Sequence, residues 1–379
     1  MKILYLANLR LPTEKAYGIQ IAKTCEAMAS LGNEVLLLCP YRINKIKKDF
    51  FDFYSIKKNF KFKRIWMLDF YLPGKLDRIS VNLKNFCSAL ILCIYVLTQK
   101  IDRVYTRDEW PAYVLSFFKK SVAFEIHKIY SGKKFFLKRL KNKTNKIIAI
   151  TNGLKSDLVA LGFREENILV APDGVDLDKF DIPMSQKEAR EELDLPLDKK
   201  IIVYNGHLFE WKGAGVLLEA ARQSLKVSEF QSTLFVFVGG TEHDIKEFKK
   251  KAEGLDNVYI LGHKPHSEIP TYLKAADVLV LPNSGKEEIS SKYTSPLKLF
   301  EYMASRRPIV ASDLLSLRDV LNEENCFFAK PDDLGDLVRV IQKVLQNSNL
   351  AEEVSNKALE DVKNYTWQKR AEKILNFIK

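Results

Sequence analysis

Residues 2–39 open with Lys2-Ile-Leu-Tyr-Leu-Ala7 and close with Glu34-Val-Leu-Leu-Leu-Cys39, two compact apolar runs of strand type. Between them lie a loop through Pro12 and Gly18 and an amphipathic stretch from Ile19 to Leu31, which stops at Gly32. Strand, loop, helix and strand in that order open a Rossmann-like sheet. The dinucleotide fingerprint G-x-G-x-x-G is missing from the first loop, which holds only Gly18, and this argues against a nicotinamide dehydrogenase.

The alternation continues. Apolar runs predict strands at Arg103–Thr106, Val122–Ile126, Lys146–Ile150 and Ile168–Ala171, with helices over Leu83–Leu97, Pro111–Phe118 and Leu154–Leu161. Pro172-Asp-Gly174 is a turn signal, and the polar run from Asp173 to Pro183 reads as a hinge. A second Rossmann-like unit begins at Lys200-Ile-Ile-Val-Tyr-Asn205. Its further strands fall at Thr233–Val238, Asn257–Leu261, Asp277–Leu281 and Pro308–Ser312. Helices are expected over Val216–Arg222, His266–Ala275, Leu334–Leu345 and Glu352–Val362, with a final amphipathic helix at Arg370–Ile378. The expected fold class is α/β, with two Rossmann-like halves.

At 379 residues the chain has room for two cores. Residues 1–180 carry 32 Lys and Arg against 17 Asp and Glu, while residues 181–379 carry 28 against 31, so the first half is the one suited to anionic partners. The five cysteines show no metal or redox spacing and read as buried thiols of a reducing compartment. The longest apolar run, Phe86 to Leu97, has 12 residues, short of a bilayer span, and no signal-peptide core opens the chain. A cytoplasmic protein is expected, peripheral at the inner face of the cell membrane if it touches one.

Residues 42–64 interleave nine Lys and Arg with Phe50, Phe51, Phe53, Tyr54, Phe60 and Phe62. Three readings fit this pattern: an anionic membrane surface, a plain solvated loop and strand, and nucleic acid, the last without any accompanying motif. Basic residues recur from Lys128 to Lys146.

The chemistry-bearing residues sit where strands end. Val122–Ile126 delivers His127 to a loop, and Arg107 and Asp108 follow the preceding strand. In the second half, Gly206-His207 follows the first strand, and Lys212 sits in a strand-to-helix loop that can present it to phosphate. Gly239-Gly240 and Gly262-His263 close the next two strands. The stretch Ser295-Pro-Leu-Lys-Leu-Phe-Glu301-Tyr-Met-Ala304 reads as a helix with Pro296 in its first turn. Its N-terminus and Lys298 suit an anion, and Glu301, one turn deeper, suits a pair of sugar hydroxyls. The competing reading is a surface helix with a Lys/Glu pair.

These residues, with Val170-Ala-Pro-Asp-Gly-Val-Asp176, Tyr204-Asn-Gly-His207, Trp211-Lys-Gly213 and Ala275-Ala-Asp277-Val-Leu-Val-Leu-Pro282, resemble the retaining GT-B glycosyltransferases of family 4, the glycosyltransferase group 1 family. The resemblance runs over nearly the whole chain and is best in the second half. It implies two facing Rossmann-like domains, an acceptor-binding one at 1–180 and a nucleotide-sugar donor-binding one at 181–363. It further implies a C-terminal helix, 364–379, returning to the first. Lys212 corresponds to the lysine on the donor diphosphate, and Glu301 to the second glutamate of an E-x7-E motif, on the ribose. Ser295, Pro296 and Leu297 correspond to the diphosphate-binding turn, Gly18 to a first-domain loop glycine facing the diphosphate, and His127 to a histidine near the donor sugar. Lys298 is a second candidate for the diphosphate charge, and with His127 and Lys212 it makes up the expected catalytic set. Gly206, His207, Gly239, Gly262 and His263 complete the expected donor-binding set.

Two positions depart from the pattern. The first glutamate of E-x7-E falls at Tyr293, with Glu287 or Glu288 as substitutes or none, and the arginine expected after Gly206 is His207. The implied activity is hexosyl transfer from a nucleotide-diphosphate sugar, a co-substrate rather than a cofactor, to a sugar or lipid-linked hydroxyl in cell-surface polysaccharide or glycolipid assembly. No metal ligand cluster is expected. A nucleotide-sugar epimerase and a non-catalytic nucleotide-sugar-binding protein are the alternatives.

Overall fold

The structure is a computed structural model and describes residues 1–67, 69, 77–118, 122–129, 134–141, 146–225, 230 and 232–379. The basic run from 128 to 146 lies partly outside the described residues. The chain forms two units: Met1–Pro172 with Trp367–Lys379, and Asp173–Thr366.

The first unit is built on seven strands: β1 Lys2–Leu6, β2 Glu34–Pro40, β3 Lys61–Ile65, β4 Arg103–Thr106, β5 Val122–Ile126, β6 Lys146–Ala149 and β7 Ile168–Val170. They lie in the order β3-β2-β1-β4-β5-β6-β7, every neighbour parallel. The order reverses between β1 and β4, which opens a crevice at the carboxyl ends of those strands.

Three expectations are corrected here. Gly18 lies not in a loop but in the first turn of the helix Ala16–Ser30, buried. A Cβ there would stand 2.1 Å from the Tyr54 hydroxyl, so the close approach that glycine permits is to that ring. The aromatics of residues 42–64 turn inward: Phe50 stacks on Phe62 at 4.2 Å and meets Tyr54 at 5.1 Å, while Phe51 packs on Phe60 at 5.0 Å. They form a small core under the edge strand β3. Third, the helix expected at Leu83–Leu97 runs from Asp77 to Leu97, and its segment Ile79–Leu97 is long and apolar enough to cross a membrane by length and composition. The polar residues before Phe86 do not stop it, because Lys84 folds inward onto Asp69 at 3.0 Å.

The helix Trp367–Ile378 belongs to the first unit although it closes the chain. Its Trp367, Ala371, Ile374, Leu375 and Ile378 are buried at helical spacing.

The second unit has six strands: β8 Lys200–Asn205, β9 Thr233–Val238, β10 Val258–Gly262, β11 Val278–Leu281, β12 Ile309–Ser312 and β13 Phe327–Ala329. Their order is β10-β9-β8-β11-β12-β13, again all parallel. Along β8 the side chains alternate between two cores. Ile201 and Val203 join Leu299 and Phe300, and Ile202 and Tyr204 join Leu217 and Phe237 on the other face. The strand order reverses between β8 and β11, so the loops after those two strands flank a second crevice. The fold is therefore α/β with two parallel-sheet Rossmann-like units.

Candidate functional site

In the second unit the site is built on the helix Leu297–Ala304. Leucine, lysine, glutamate and methionine are good helix formers, and the helix ends where Arg306 takes a left-handed conformation at φ 55°, two residues before Pro308. Pro296 is the cap rather than the first turn, with ψ 130°, and having no N–H it donates nothing to a ligand. Among the described residues no side chain caps the helix, which leaves the Leu297 and Lys298 N–H groups for an anion, while the Leu299 N–H donates to the Pro296 carbonyl at 2.9 Å. The Ser295 hydroxyl instead accepts from the Asp173 N–H at 3.0 Å.

Every residue from Lys298 to Ala304 is buried, which removes the surface-helix reading. Lys298 is only 7% exposed, and among the described residues its ammonium has no hydrogen-bond partner. It rests 4.0 Å from the Tyr204 ring and beside Gly206. Burial, together with the charge of Lys212, holds the Lys298 ammonium well below the usual lysine range, against the pull of Glu301. Lys212 lies over Trp211 at 4.0 Å, and burial pushes it down to about 8. Burial lowers both ammonium groups, and an anion placed beside them would offset that cost.

The loop carrying Lys212 is fixed in place. Gly213 takes φ 75°, and a Cβ there would stand 1.6 Å from the Pro282 carbonyl oxygen. The Ser284 N–H donates to the Trp211 carbonyl at 3.0 Å, tying this turn to the end of β11. The Gly206 N–H donates to the Val238 carbonyl and the Gly239 N–H to the Gly262 carbonyl, so the expected glycines knit the ends of β8, β9 and β10 together. Glu301, buried, accepts from His266 Nε2 at 2.8 Å, which leaves Oε2 for a ligand.

In the first unit, β5 ends in Glu125-Ile-His127. The carboxylate of Glu125 is fully buried and accepts from Gln20, from the Tyr105 hydroxyl, from His127 Nε2 at 2.6 Å and from Arg370 at 2.7 Å. Burial works to raise the Glu125 carboxyl, but Arg370, His127 and Arg107 outweigh it and hold it well below the carboxylate range. An ionised carboxylate only accepts, so the His127 ring proton sits on Nε2 and Nδ1 carries the lone pair. Burial and the Arg107 charge push His127 down to about 4, so the ring is neutral at physiological pH. His127, Arg107, Asp108, Asn8, Tyr17 and Trp110 line a cleft of about 270 Å³ at the ends of β1, β4 and β5. Its mix of aromatic rings with amide and carboxylate groups suits a polyhydroxylated ligand.

Residues 185–361 match the Glycosyl transferases group 1 family. Over 390 aligned residues the chain is 23% identical to the putative teichuronic acid biosynthesis glycosyltransferase TuaC of Bacillus subtilis, covering 96% of this chain and 94% of that one. Among solved structures, sucrose-phosphate synthase of Thermosynechococcus elongatus superposes with a TM-score of 0.77 at 18% identity, covering 99% of this chain and 97% of that one. Anabaena HepE in complex with UDP-glucose gives 0.76 at 16% identity, covering 99% and 98%.

The group 1 segment contains Lys212, Lys298, Glu301, Gly206 and the turn at Ser295 to Leu297, and the structure gathers these at the β8 side of the second unit. His207 stacks on Phe209, ring centroids 4.8 Å apart. His263 is exposed after β10, and it is His266, three residues on, that reaches Glu301. Tyr293 is buried, and the two proposed substitutes are exposed, Glu288 pairing with Lys292 at 3.6 Å. Neither is fixed as a ligand. Gly18 and His127 belong to the first unit. Among the described residues no group of three or more His, Cys, Asp or Glu side chains gathers as a metal site. Sequence reasoning missed His266, Tyr204, Glu125 and Arg370. The signal for His266 was only a histidine in the loop after a strand, and Glu125 and Arg370 read as ordinary members of a strand and a helix.

Proposed function

We propose that the chain is a retaining glycosyltransferase of family 4, transferring a hexosyl group from a nucleoside-diphosphate sugar to an acceptor hydroxyl without a metal ion. The observation that carries this reading is the buried ammonium of Lys298, without a hydrogen bond among the described residues, beside Lys212 at an uncapped helix N-terminus. Departure of a nucleoside diphosphate breaks the bond from the sugar's anomeric carbon to phosphate oxygen and concentrates charge on that oxygen. Preorganised cations and N–H groups that meet this charge are each typically worth about 2.7–4 kcal/mol in the barrier.

Glu301 Oε2 accepts from the ribose hydroxyls, with His266 holding the carboxylate in place. The first unit's cleft takes the acceptor, whose hydroxyl oxygen forms the new bond to the anomeric carbon as its proton passes to the departing diphosphate. His127, neutral and with its lone pair on Nδ1, accepts a hydrogen bond from a sugar hydroxyl. The likeness to TuaC supports an acceptor in cell-surface polysaccharide assembly, and the HepE complexes support a uridine nucleotide among donors to be tried first. The epimerase and binding-protein readings find no counterpart among the relatives named above.

The test is a thermal-shift screen of nucleoside diphosphates and their sugars, followed by donor turnover with and without chelator. A nucleotide present at about 100 times its Kd stabilises a fold by about 2.7 kcal/mol. The expected result is one nucleoside diphosphate that shifts melting, and transfer with retained anomeric configuration that chelator leaves unchanged. No shift with any of them would overturn the reading.

A further inference from the structure

The helix Asp77–Leu97 is two-faced in an unusual sense. Its inner face, including Ala89, Leu92, Cys93 and Val96, is core, at most 1% exposed. Its outer face is apolar too: Ile79 and Ile94 are 62% and 60% exposed, and Leu83, Leu90, Ile91 and Leu97 join them, with Cys87 exposed in the same row. From Ile79 to Leu97 the helix has a single charged residue, Lys84, and that one is buried against Asp69. A surface helix that met only water would carry charge on that face. A contiguous apolar strip of this kind marks a docking surface.

The charge around the strip decides the occupant. Lys61, Lys63 and Arg64 are exposed on the edge strand β3, and the Lys63 ammonium lies 4.7 Å over Tyr95 of this same helix. Lys100 is exposed just beyond the helix end, and Trp66, 72% exposed, follows β3. The first unit as a whole carries 35 Lys and Arg against 15 Asp and Glu. A second copy would set two strongly cationic faces against each other, whereas an anionic bilayer satisfies cations, interfacial tryptophan and apolar strip together.

We infer that the outer face of the helix Asp77–Leu97 is the surface by which the protein lies on an anionic lipid bilayer. The helix lies in the interface and does not cross it, because crossing would strip its inner face from the core and break the buried Lys84–Asp69 pair. Asn82 and Asn85, on the same helix, line the first unit's cleft, so docking brings that cleft to the lipid surface. The inference stands without the proposed transfer reaction.

Cys87 supplies the test, since Cys25, Cys39, Cys93 and Cys326 are buried. The full chain, labelled at Cys87 with an environment-sensitive fluorophore, is mixed with vesicles of phosphatidylglycerol and phosphatidylcholine or of phosphatidylcholine alone. With the anionic vesicles at low salt, the emission shifts to the blue, an aqueous quencher loses access, and the protein sediments with the lipid. Leu83→Glu with Ile94→Glu lowers that partitioning at least about tenfold. Three results would overturn the inference: no sedimentation at low salt, sedimentation with the label still open to quencher, or a label protected without lipid in a dimer seen by size exclusion. The label measurement needs no substitution, so it stands even if the double variant folds poorly.

Discussion

Arg370, in the last helix of the chain, donates to the fully buried carboxylate of Glu125 at 2.7 Å across 245 residues of sequence. The same guanidinium donates to the Pro172 carbonyl at 2.9 Å and to the Thr24 hydroxyl at 3.2 Å. It therefore binds β5, the helix Ala16–Ser30 and the last residue of the first unit's longer stretch. Arg370→Met leaves a buried carboxylate without its cation and is expected to cost about 3–5 kcal/mol. Adding Glu125→Gln should recover a large part of that loss, which denaturant unfolding of the single and double variants measures.

Acid should destabilise the first unit in two stages. His127, held at about 4 against an ordinary 6.5, stays neutral in the fold while the unfolded chain takes up a proton, so stability falls as pH drops from 6.5 towards 4. Its full contribution is about 3 kcal/mol at most. Glu125, held below its ordinary 4.5, adds a second loss of the same sign only below that pH. His127→Gln should flatten the upper stage, between pH 6.5 and 4.5, and leave the lower one. Equal slopes in the two proteins over that upper window would show that His127 does not carry it.

Lys298→Met is expected to stabilise the free protein while removing nucleotide binding. The substitution fills the same space and deletes a buried ammonium that has no hydrogen bond among the described residues, a gain of about 1–3 kcal/mol. Melting of the variant alone and with the nucleoside diphosphate that best stabilises the parent gives both readings. A lower melting temperature without ligand would show that the ammonium is already satisfied in the fold.

Nucleotide affinity should decline as pH rises through about 8, where Lys212 begins to lose its proton in the free protein. Lys212→Arg keeps its charge and should show a weaker pH dependence between 7 and 9 than the parent. Titration calorimetry at several pH values distinguishes the two curves.

Glu301→Gln should weaken binding of a ribonucleoside diphosphate about tenfold or more, the range for hydrogen bonds to a charged group. The 2′-deoxy analogue should show a much smaller difference between parent and variant. Equal losses for both nucleotides would place Glu301 away from the ribose.

The parallel strands buried on both faces were open to reading from sequence, because β1, β2, β8 and β9 are continuous apolar runs between turn residues. The edge strands were not. β3, Lys61-Phe-Lys-Arg-Ile65, is charged and half-exposed, and β13 has three residues, too few for a period. Lys298 and Glu301 could be found because their spacing is local to one helix. The His266 partner of Glu301 lies 35 residues away and the Arg370 partner of Glu125 lies 245 away, distances that no local pattern encodes. The direction of the aromatics in residues 42–64 was hidden for a related reason: alternating charge and rings suits a small core as well as an exposed face.

The placement of residues 367–379 within the first unit has a consequence for biosynthesis. A growing chain exposes residues 1–172 first, yet Glu125 waits for its cation until the final helix leaves the ribosome. The second unit, contiguous in sequence, is complete earlier, so maturation runs from the middle of the polypeptide outwards. A premature stop after Thr366 would release a finished second unit joined to a first one whose buried carboxylate has lost its guanidinium.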